Sequence, residues 1–304
     1  LANNGKIYCA PNGAAQVLEI DPATSTTTLI GDTYESGRSL YATSVLANNG
    51  KIYCAPLGSE SKQVLEIDPE APRDKYGKDE YPENRPTTRL IGDRLPELWG
   101  KYVTSVLANN GKIYCAPGAA ARVLEIDPDT ATTRLIGDKH SGYATSVLAG
   151  NGKIYCAPSG AAKVLEIDPG APRDKDGDDT TTNRPTTRLI GTWLGTGYQK
   201  YYTSVLAGNG KIYAAPYGHR DSTQRGRGRD SATQVLEIDP ATSTTRLIGK
   251  EVNVYGNGTD RRYSSSVLGN NGKIYAAPFD AAQVLEIDPA TSTTRLIGDK
   301  YSSG

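Results

Sequence analysis

The sequence predicts an all-β chain built from six copies of one four-stranded antiparallel unit. Three observations carry this. One phrase recurs from end to end: L-A-N-N-G-K-I-Y-C-A-P, then V-L-E-I-D-P-x-T-x-T-T-R-L-I-G, then a variable stretch ending in Y-x-T-S-V. Its copies start at Leu1, Leu46, Leu107, Leu148, Leu206 and Leu268. Each copy holds short β-branched and aromatic runs parted by turn signals, and none of them has helical period. The phrase fills all 304 residues, so a single domain over 1–304 is expected.

The third copy justifies the elements in order. Tyr102 to Leu107 (Y-V-T-S-V-L) reads as strand A. Asn109-Asn110-Gly111 is a hairpin turn, because Asn and Gly tolerate positive φ. Lys112 to Ala116 is strand B, ended by Pro117, which removes a ladder donor. Val123 to Asp127 is strand C, Pro128 to Ala131 a turn, and Thr132 to Ile136 strand D, closed by Gly137. One such meander cannot bury both faces, whereas six arranged radially can. The expected fold is therefore a six-bladed β-propeller. The chain ends in Y-S-S-G (Tyr301 to Gly304) and begins in L-A-N-N-G, so the first blade takes its strand A from both termini, which meet there and close the ring. A window cut from a longer repeat array is the rival reading.

A four-residue C–D loop sets a register. Asp127 faces Thr132, so Glu125 faces Arg134; likewise Glu237 faces Arg246 and Glu286 faces Arg295, while Glu19 meets Thr28. These are read as cross-strand ion pairs worth about 0.2–1 kcal/mol each, and a Glu repeated in every copy is read as structural.

The V-L-E-I-D-P-x-T-x-T-T half resembles the V-x-V-I-D-x-x-T-x-T blades of the YncE-like, NHL and kelch-type propellers. The complete wording is similar to repeat proteins from microalgal genomes. The resemblance covers the whole chain and implies architecture, not activity. That family commonly has W-x-G-G before V-L-A. Here Y-x-T-S or Y-S-S stands in that place, so no role of that Trp carries over.

Bulk composition excludes several classes. Lys plus Arg and Asp plus Glu are 34 each, so no global field draws nucleic acid or anionic membrane. No apolar run is long enough to span a bilayer. The chain starts at Leu and has no Met, which fits a secreted protein cleaved from its signal; a sequence read from peptides would explain both as well. The expected location is extracellular. Cys9, Cys54, Cys115 and Cys156 share one repeat position that Ala214 and Ala276 fill elsewhere, so free, buried, small side chains are expected.

Function is sought where the copies differ. In a propeller the D–A and B–C loops open on one face, the A–B and C–D loops on the other. Related C–D insertions, Glu70 to Pro86 and Gly170 to Pro185, mark the second and fourth copies. Asp174, Asp176 and Asp178 have D-x-D-x-D spacing, but Asp179 takes the place of the tight-turn Gly and no Glu follows at the twelfth position. A solvated acidic loop is the preferred reading; a calcium site is the alternative, and no other cofactor is expected. A long B–C insertion in the fifth copy, Tyr217 to Ser231, carries Arg220, Arg225, Arg227 and Arg229. Arginines there suit carboxylate, sulfate or phosphate. Without interleaved aromatics they do not suit nucleic acid. The D–A loops hold Trp99, Trp193 and Tyr198, read either as stacking platforms or as plugs between blades. Asn257-Gly258-Thr259 is a glycosylation sequon.

The inner strands supply only Ser, Thr, Tyr and apolar residues, and neither His140 nor His219 lies on one, so no catalysis is expected. The expected role is an extracellular interaction or assembly module. In it the acidic loop at Asp174 to Asp179 docks Arg225, Arg227 and Arg229 of a second copy. The alternative is a propeller that binds a glycan or protein on its D–A/B–C face.

Overall fold

The computed structural model describes residues 1–304 apart from 35–38, 75, 81–84, 182–183, 196, 219–231, 253–260 and 301–304. The chain is all-β, with no helix among the described residues, and hence none long and apolar enough to cross a membrane. It forms six antiparallel sheets, the fold class of a six-bladed β-propeller. Two compact units divide it: Leu1–Lys139 with Arg173–Thr180, and His140–Pro172 with Thr181–Gly304.

The first unit holds three sheets. The first is β1 (Ile7–Cys9), β2 (Val17–Asp21) and β3 (Thr26–Ile30). The second is β4 (Val45–Leu46), β5 (Ile52–Cys54), β6 (Val64–Ile67) and β7 (Thr88–Ile91). The third is β8 (Tyr102–Leu107), β9 (Ile113–Pro117), β10 (Val123–Asp127) and β11 (Thr132–Ile136). The second unit repeats the plan: β12 (Val147–Leu148), β13 (Ile154–Cys156), β14 (Val164–Ile167) and β15 (Thr187–Ile190); then β16 (Tyr201–Leu206), β17 (Ile212–Pro216), β18 (Val235–Asp239) and β19 (Thr244–Ile248); then β20 (Tyr263–Leu268), β21 (Ile274–Pro278), β22 (Val284–Asp288) and β23 (Thr293–Ile297). The strand expected to complete the first sheet falls on residues 301–304, outside the described residues.

Cores form between successive sheets. Tyr53, Ala55, Val64 and Ile91 of the second sheet pack on Ile113, Cys115, Leu124 and Ile126 of the third. The same positions recur between the fifth and sixth sheets, where Tyr213, Ala215, Val235 and Ile248 meet Ile274, Ala276, Leu285 and Ile287. Strand B thus presents Tyr to the following sheet and Cys or Ala to the preceding one, as period-two alternation requires. Cys54, Cys115 and Cys156 are buried and free, and burial pushes their thiols up. Cys9 departs from expectation and is exposed. Its face is the one that packs on a preceding sheet, and its own unit begins with the sheet it belongs to.

The C–D register is the expected one: Glu125 faces Arg134, Glu237 faces Arg246, Glu286 faces Arg295 and Glu19 faces Thr28. The ion pairs follow it only in part. Glu237 takes Arg246 at 2.8 Å and Glu286 takes Arg295 at 2.7 Å. Glu125 instead takes Arg173 at 2.6 Å, and Arg134 turns to the carbonyl of Asp174. Glu19, facing a threonine, takes Arg73 at 2.7 Å. Both replacement guanidiniums come from the two C–D insertions, so each insertion is a strap that closes over the sheet beside it. Each glutamate also receives the lysine of K-I-Y, as in Lys51 to Glu66 at 2.9 Å and Lys211 to Glu237 at 2.9 Å.

A second set of bonds joins one sheet to the next. The last Asn of the A–B turn donates to the tyrosine hydroxyl of its own strand B and to the proline carbonyl of the following C–D turn. Asn49 reaches Tyr53 Oη and Pro128 O, both at 2.9 Å. Asn209 reaches Tyr213 Oη at 2.9 Å and Pro289 O at 2.8 Å. Hydroxyls on or just before the first strands of neighbouring sheets pair as well: Thr43 with Ser105 at 2.8 Å, and Thr203 with Ser266 at 2.7 Å. At the far edge Gly31 and Gly191 lie so close to Thr88 and Thr245 that a Cβ would collide, and both have positive φ.

Burial alone raises the Glu237 carboxyl, but hydrogen bonds from Arg246, Ser292 and Lys211 overcome it and bring it down to about 2. The folded value lies below the ordinary 4.5, so this stabilisation is present above pH ~4.5 and is lost as pH falls toward ~2. Melting temperature should drop through that window, and Glu237→Gln should flatten the drop while lowering the melting temperature at pH 7. Glu66→Ala should cost about 2 kcal/mol in urea unfolding, since Lys51 and Arg89 are half-exposed and recover water when left unpaired.

Candidate binding site on the D–A loops

Two D–A loops, one in each unit, present aromatic side chains on a pinned backbone. In the first unit Leu95 N donates to Lys62 O at 2.7 Å, and Lys101 N to Leu57 O at 3.0 Å. Lys101 is 1% exposed, and its ammonium donates to the carbonyls of Leu98 and Gly58. Burial pushes that ammonium down to about 8. Between these anchors Trp99 stands 69% exposed.

The second unit builds the same frame. Leu194 N donates to Ala162 O at 2.8 Å, and Lys200 N to Ser159 O at 3.0 Å. Lys200 is buried and its ammonium donates to Gly197 O at 2.5 Å. Tyr198 is 80% exposed and lies over Gly160. Gln199 holds φ of +58° where the sister loop has Gly100 at +78°, and its side-chain Oε1 is buried without a hydrogen-bond partner. A non-glycine residue in that region is strained, and the lysine anchor beside it holds it there.

Trp99 and Tyr198 therefore occupy one structural position, two residues before the buried lysine. Trp193 sits earlier in its loop, at the place of Arg94. It is 66% exposed and stands at the rim of a cleft of about 310 Å³ lined by Leu194, Lys200, Tyr201, Thr233, Gln234 and Leu247 among others. The cleft is mixed in character: two aromatic rings and aliphatic walls, with hydroxyl and amide groups among them. Neither tryptophan folds back as a plug.

The other sequence-predicted residues fall differently. Tyr217 is buried, its ring 4.4 Å from that of Tyr202 and 6.4 Å from Phe279, with Arg261 5.8 Å from the Phe279 centroid. Its ring is spent on packing. Arg220, Arg225, Arg227, Arg229 and Asn257 lie outside the described residues. Ala232 and Thr233, which follow that segment in sequence, lie on the cleft wall.

The three aspartates are engaged locally. Asp174 accepts the amides of Asp176 and Asp178 at 2.9 and 3.0 Å, Asp178 holds Arg122 at 2.9 Å, and Asp176 holds Lys175 at 3.0 Å. Among the described residues no three His, Cys, Asp or Glu side chains gather as a metal site would need. Asp74 in the sister strap makes the same amide bonds, to Tyr76 and Lys78. The shared turn therefore closes without the extra acids.

The buried lysines were not singled out from sequence. Their signal was present: a cation directly before the core tyrosine of strand A, in G-K-Y and in Q-K-Y.

No protein-family model matches the chain, and no curated protein matches it in sequence. Solved structures do. Streptogramin B lyase aligns with a TM-score of 0.58 at 11% identity, over 100% of this chain and 82% of that one. PorZ, a bacterial surface component of the type-IX secretion system of Porphyromonas gingivalis, aligns at 0.57 and 13%, over 98% and 40%. The extracellular domain of a one-component system of B. thetaiotaomicron aligns at 0.53 and 9%, over 100% and 43%. This chain thus spans less than half the length of the latter two. At such identities the likeness is one of fold. It also corrects the exclusion of catalysis: a lyase stands among the similar structures, so the makeup of the inner strands is no ground for ruling an enzyme out.

Lys200→Met should leave Gly197 O without its donor, lowering stability by about 1 kcal/mol and speeding amide exchange in residues 191–200 while strands β16 to β19 stay protected.

Proposed function

We propose that the chain is an extracellular interaction module that acts as one six-bladed domain and binds an acidic glycan on its D–A/B–C loop face. The observation that carries this reading is the cleft beside Trp193: a largely exposed indole on a pinned loop, over a mixed polar and apolar wall. A sugar ring stacks on such an indole through its apolar face, while hydroxyl and amide groups meet its polar edge. Arg220, Arg225, Arg227 and Arg229 precede the wall residues Ala232 and Thr233 in sequence, and guanidinium groups pair with sulfate or carboxylate. Surface and extracellular proteins among the similar structures support the location. A glycan on Asn257 belongs to the same reading as an accessory feature, and the Asp174 to Asp178 segment is taken as a solvated acidic loop.

The test is tryptophan fluorescence during titration with a sulfated hexasaccharide. Binding should quench the signal, Trp193→Ala should weaken it at least tenfold, and Trp99→Ala should leave the affinity unchanged. Equal affinity in the Trp193→Ala variant would refute the assignment.

A further inference from the structure

Eight Asn–Gly pairs occur in the sequence, and the structure treats them unequally. Six close the A–B turns: Asn4, Asn49, Asn110, Asn151, Asn209 and Asn271, each followed by glycine. A seventh, Asn12–Gly13, lies on the B–C loop between β1 and β2. Asn257–Gly258 lies outside the described residues. Such a pair is chemically unstable on its own. The glycine amide nitrogen, once deprotonated, attacks the asparagine side-chain carbonyl carbon, and ammonia leaves. The resulting five-membered succinimide then takes up one water. Opening at one carbonyl gives aspartate. Opening at the other gives isoaspartate, in which the chain runs on through the former side-chain carbon. Glycine favours the attack because no Cβ shields its nitrogen and its backbone turns freely.

Every A–B turn opposes this step with three hydrogen bonds inside its own sheet. The glycine N–H donates to the carbonyl three residues back, as Gly50 to Ala47 O at 3.0 Å and Gly210 to Ala207 O at 3.0 Å, which keeps the nitrogen protonated. The asparagine Oδ1 accepts the lysine amide two residues on, at 3.0 Å from both Lys51 and Lys211, which fixes the carboxamide plane. Its Nδ2, the leaving group, donates to the strand B tyrosine, at 2.9 Å for both Tyr53 and Tyr213. The same three bonds recur in the turns of Asn4, Asn110, Asn151 and Asn271.

Asn12 has none of the three. Among the described residues neither its carboxamide nor the Gly13 N–H makes a hydrogen bond. Gly13 is not held at positive φ, whereas the six turn glycines stand between +76° and +80°. What this stretch does carry is a backbone tie. Asn12 O accepts Leu40 N at 2.8 Å, and Pro11 O accepts Tyr41 N at 3.1 Å. Leu40 and Tyr41 are buried and end the D–A loop that leads into the second sheet.

We propose that Asn12 is a self-modification site of the folded chain, converted to aspartate and isoaspartate by attack of the Gly13 nitrogen while the six turn asparagines stay intact. Both products add a negative charge to the first B–C loop. In the isoaspartate the backbone carbonyl of Asn12 becomes a free carboxylate, and the chain gains a methylene. That carbonyl is the group that holds Leu40. It then hangs from the chain as a side group instead of being fixed within it, so the tie slackens and the first D–A loop is released at its end. This inference uses no residue of the cleft beside Trp193 and stands whether or not a glycan binds there.

Peptide mapping by mass spectrometry, after the whole chain has stood for weeks in mildly alkaline buffer, tests this. Water enriched in heavy oxygen marks conversion during the incubation and separates it from conversion during digestion. Asn12 should convert at least about tenfold faster than Asn49 or Asn209, since one hydrogen bond to the reacting groups changes a barrier by that much. In concentrated urea, where no turn is formed, all three should convert at similar rates. Gly13→Ala should abolish the advantage of Asn12 in the folded chain, and it leaves the fold intact because a Cβ there meets nothing within 4 Å. In the purified isoaspartate form, amide exchange at Leu40 and Tyr41 should run about tenfold faster than in the parent. Equal rates at Asn12 and Asn49 in the folded chain overturn the assignment, as does an Asn12 that converts only in urea. Unchanged exchange at Leu40 and Tyr41 overturns the release of the loop.

Discussion

Every sheet of this protein holds a buried carboxylate that has to be matched by cations and donors. The glutamate of V-L-E-I-D is nearly buried in each repeat, and a buried carboxylate is tolerated only with cations and donors around it. One cation is always local, the lysine of K-I-Y. The remaining partners come from strand D, from a neighbouring turn or from a strap. This explains the repeat better than hydrophobic pattern alone. Apolar cores of similar size tolerate substitution, whereas a charge cluster ties each copy to a particular set of polar residues. It also explains why the first and third sheets draw on Arg73 and Arg173: with Thr28 opposite Glu19, and with Arg134 turned aside, the strap supplies the second positive charge.

The loops build on that rigidity. A D–A loop begins at an edge that glycine lets approach its neighbour closely and ends at a buried lysine that holds the loop's own carbonyls. The exposed aromatics ride between two fixed points, so presenting them costs little ordering on binding. Arginines on the adjoining B–C segment would add charge without relying on the scaffold's neutral surface. Division of labour between invariant sheets and divergent loops is the usual way a repeat architecture acquires a binding site.

Much of the fold was legible because hairpin geometry is local. A four-residue turn sets which residues of the C and D strands face each other, and the observed register agrees pair by pair. The site was legible only as a set of candidates. Trp99, Trp193 and Tyr198 could be picked out as loop aromatics, but whether they stood in solvent or filled gaps depended on neighbours that no local rule specifies. Tyr217, a binding candidate as the first residue of the B–C insertion, turned out to be packing. The buried lysines were missed because a lysine at a loop end is ordinarily solvated. Only the convergence of two backbone carbonyls on the Lys101 ammonium reveals its place.

By itself, then, the sequence determined the strands, their order, the turn types and the cross-strand register, since all of these rest on interactions within about a dozen residues. Tertiary structure decided which arginine reaches which glutamate, which cysteine is covered and which aromatic is presented. Those outcomes depend on groups up to 89 positions apart, as between Asn151 and Pro240, and on competition between equivalent donors for one acceptor. A repeated sequence offers the same bond six times, and only the neighbours present in space determine where it forms.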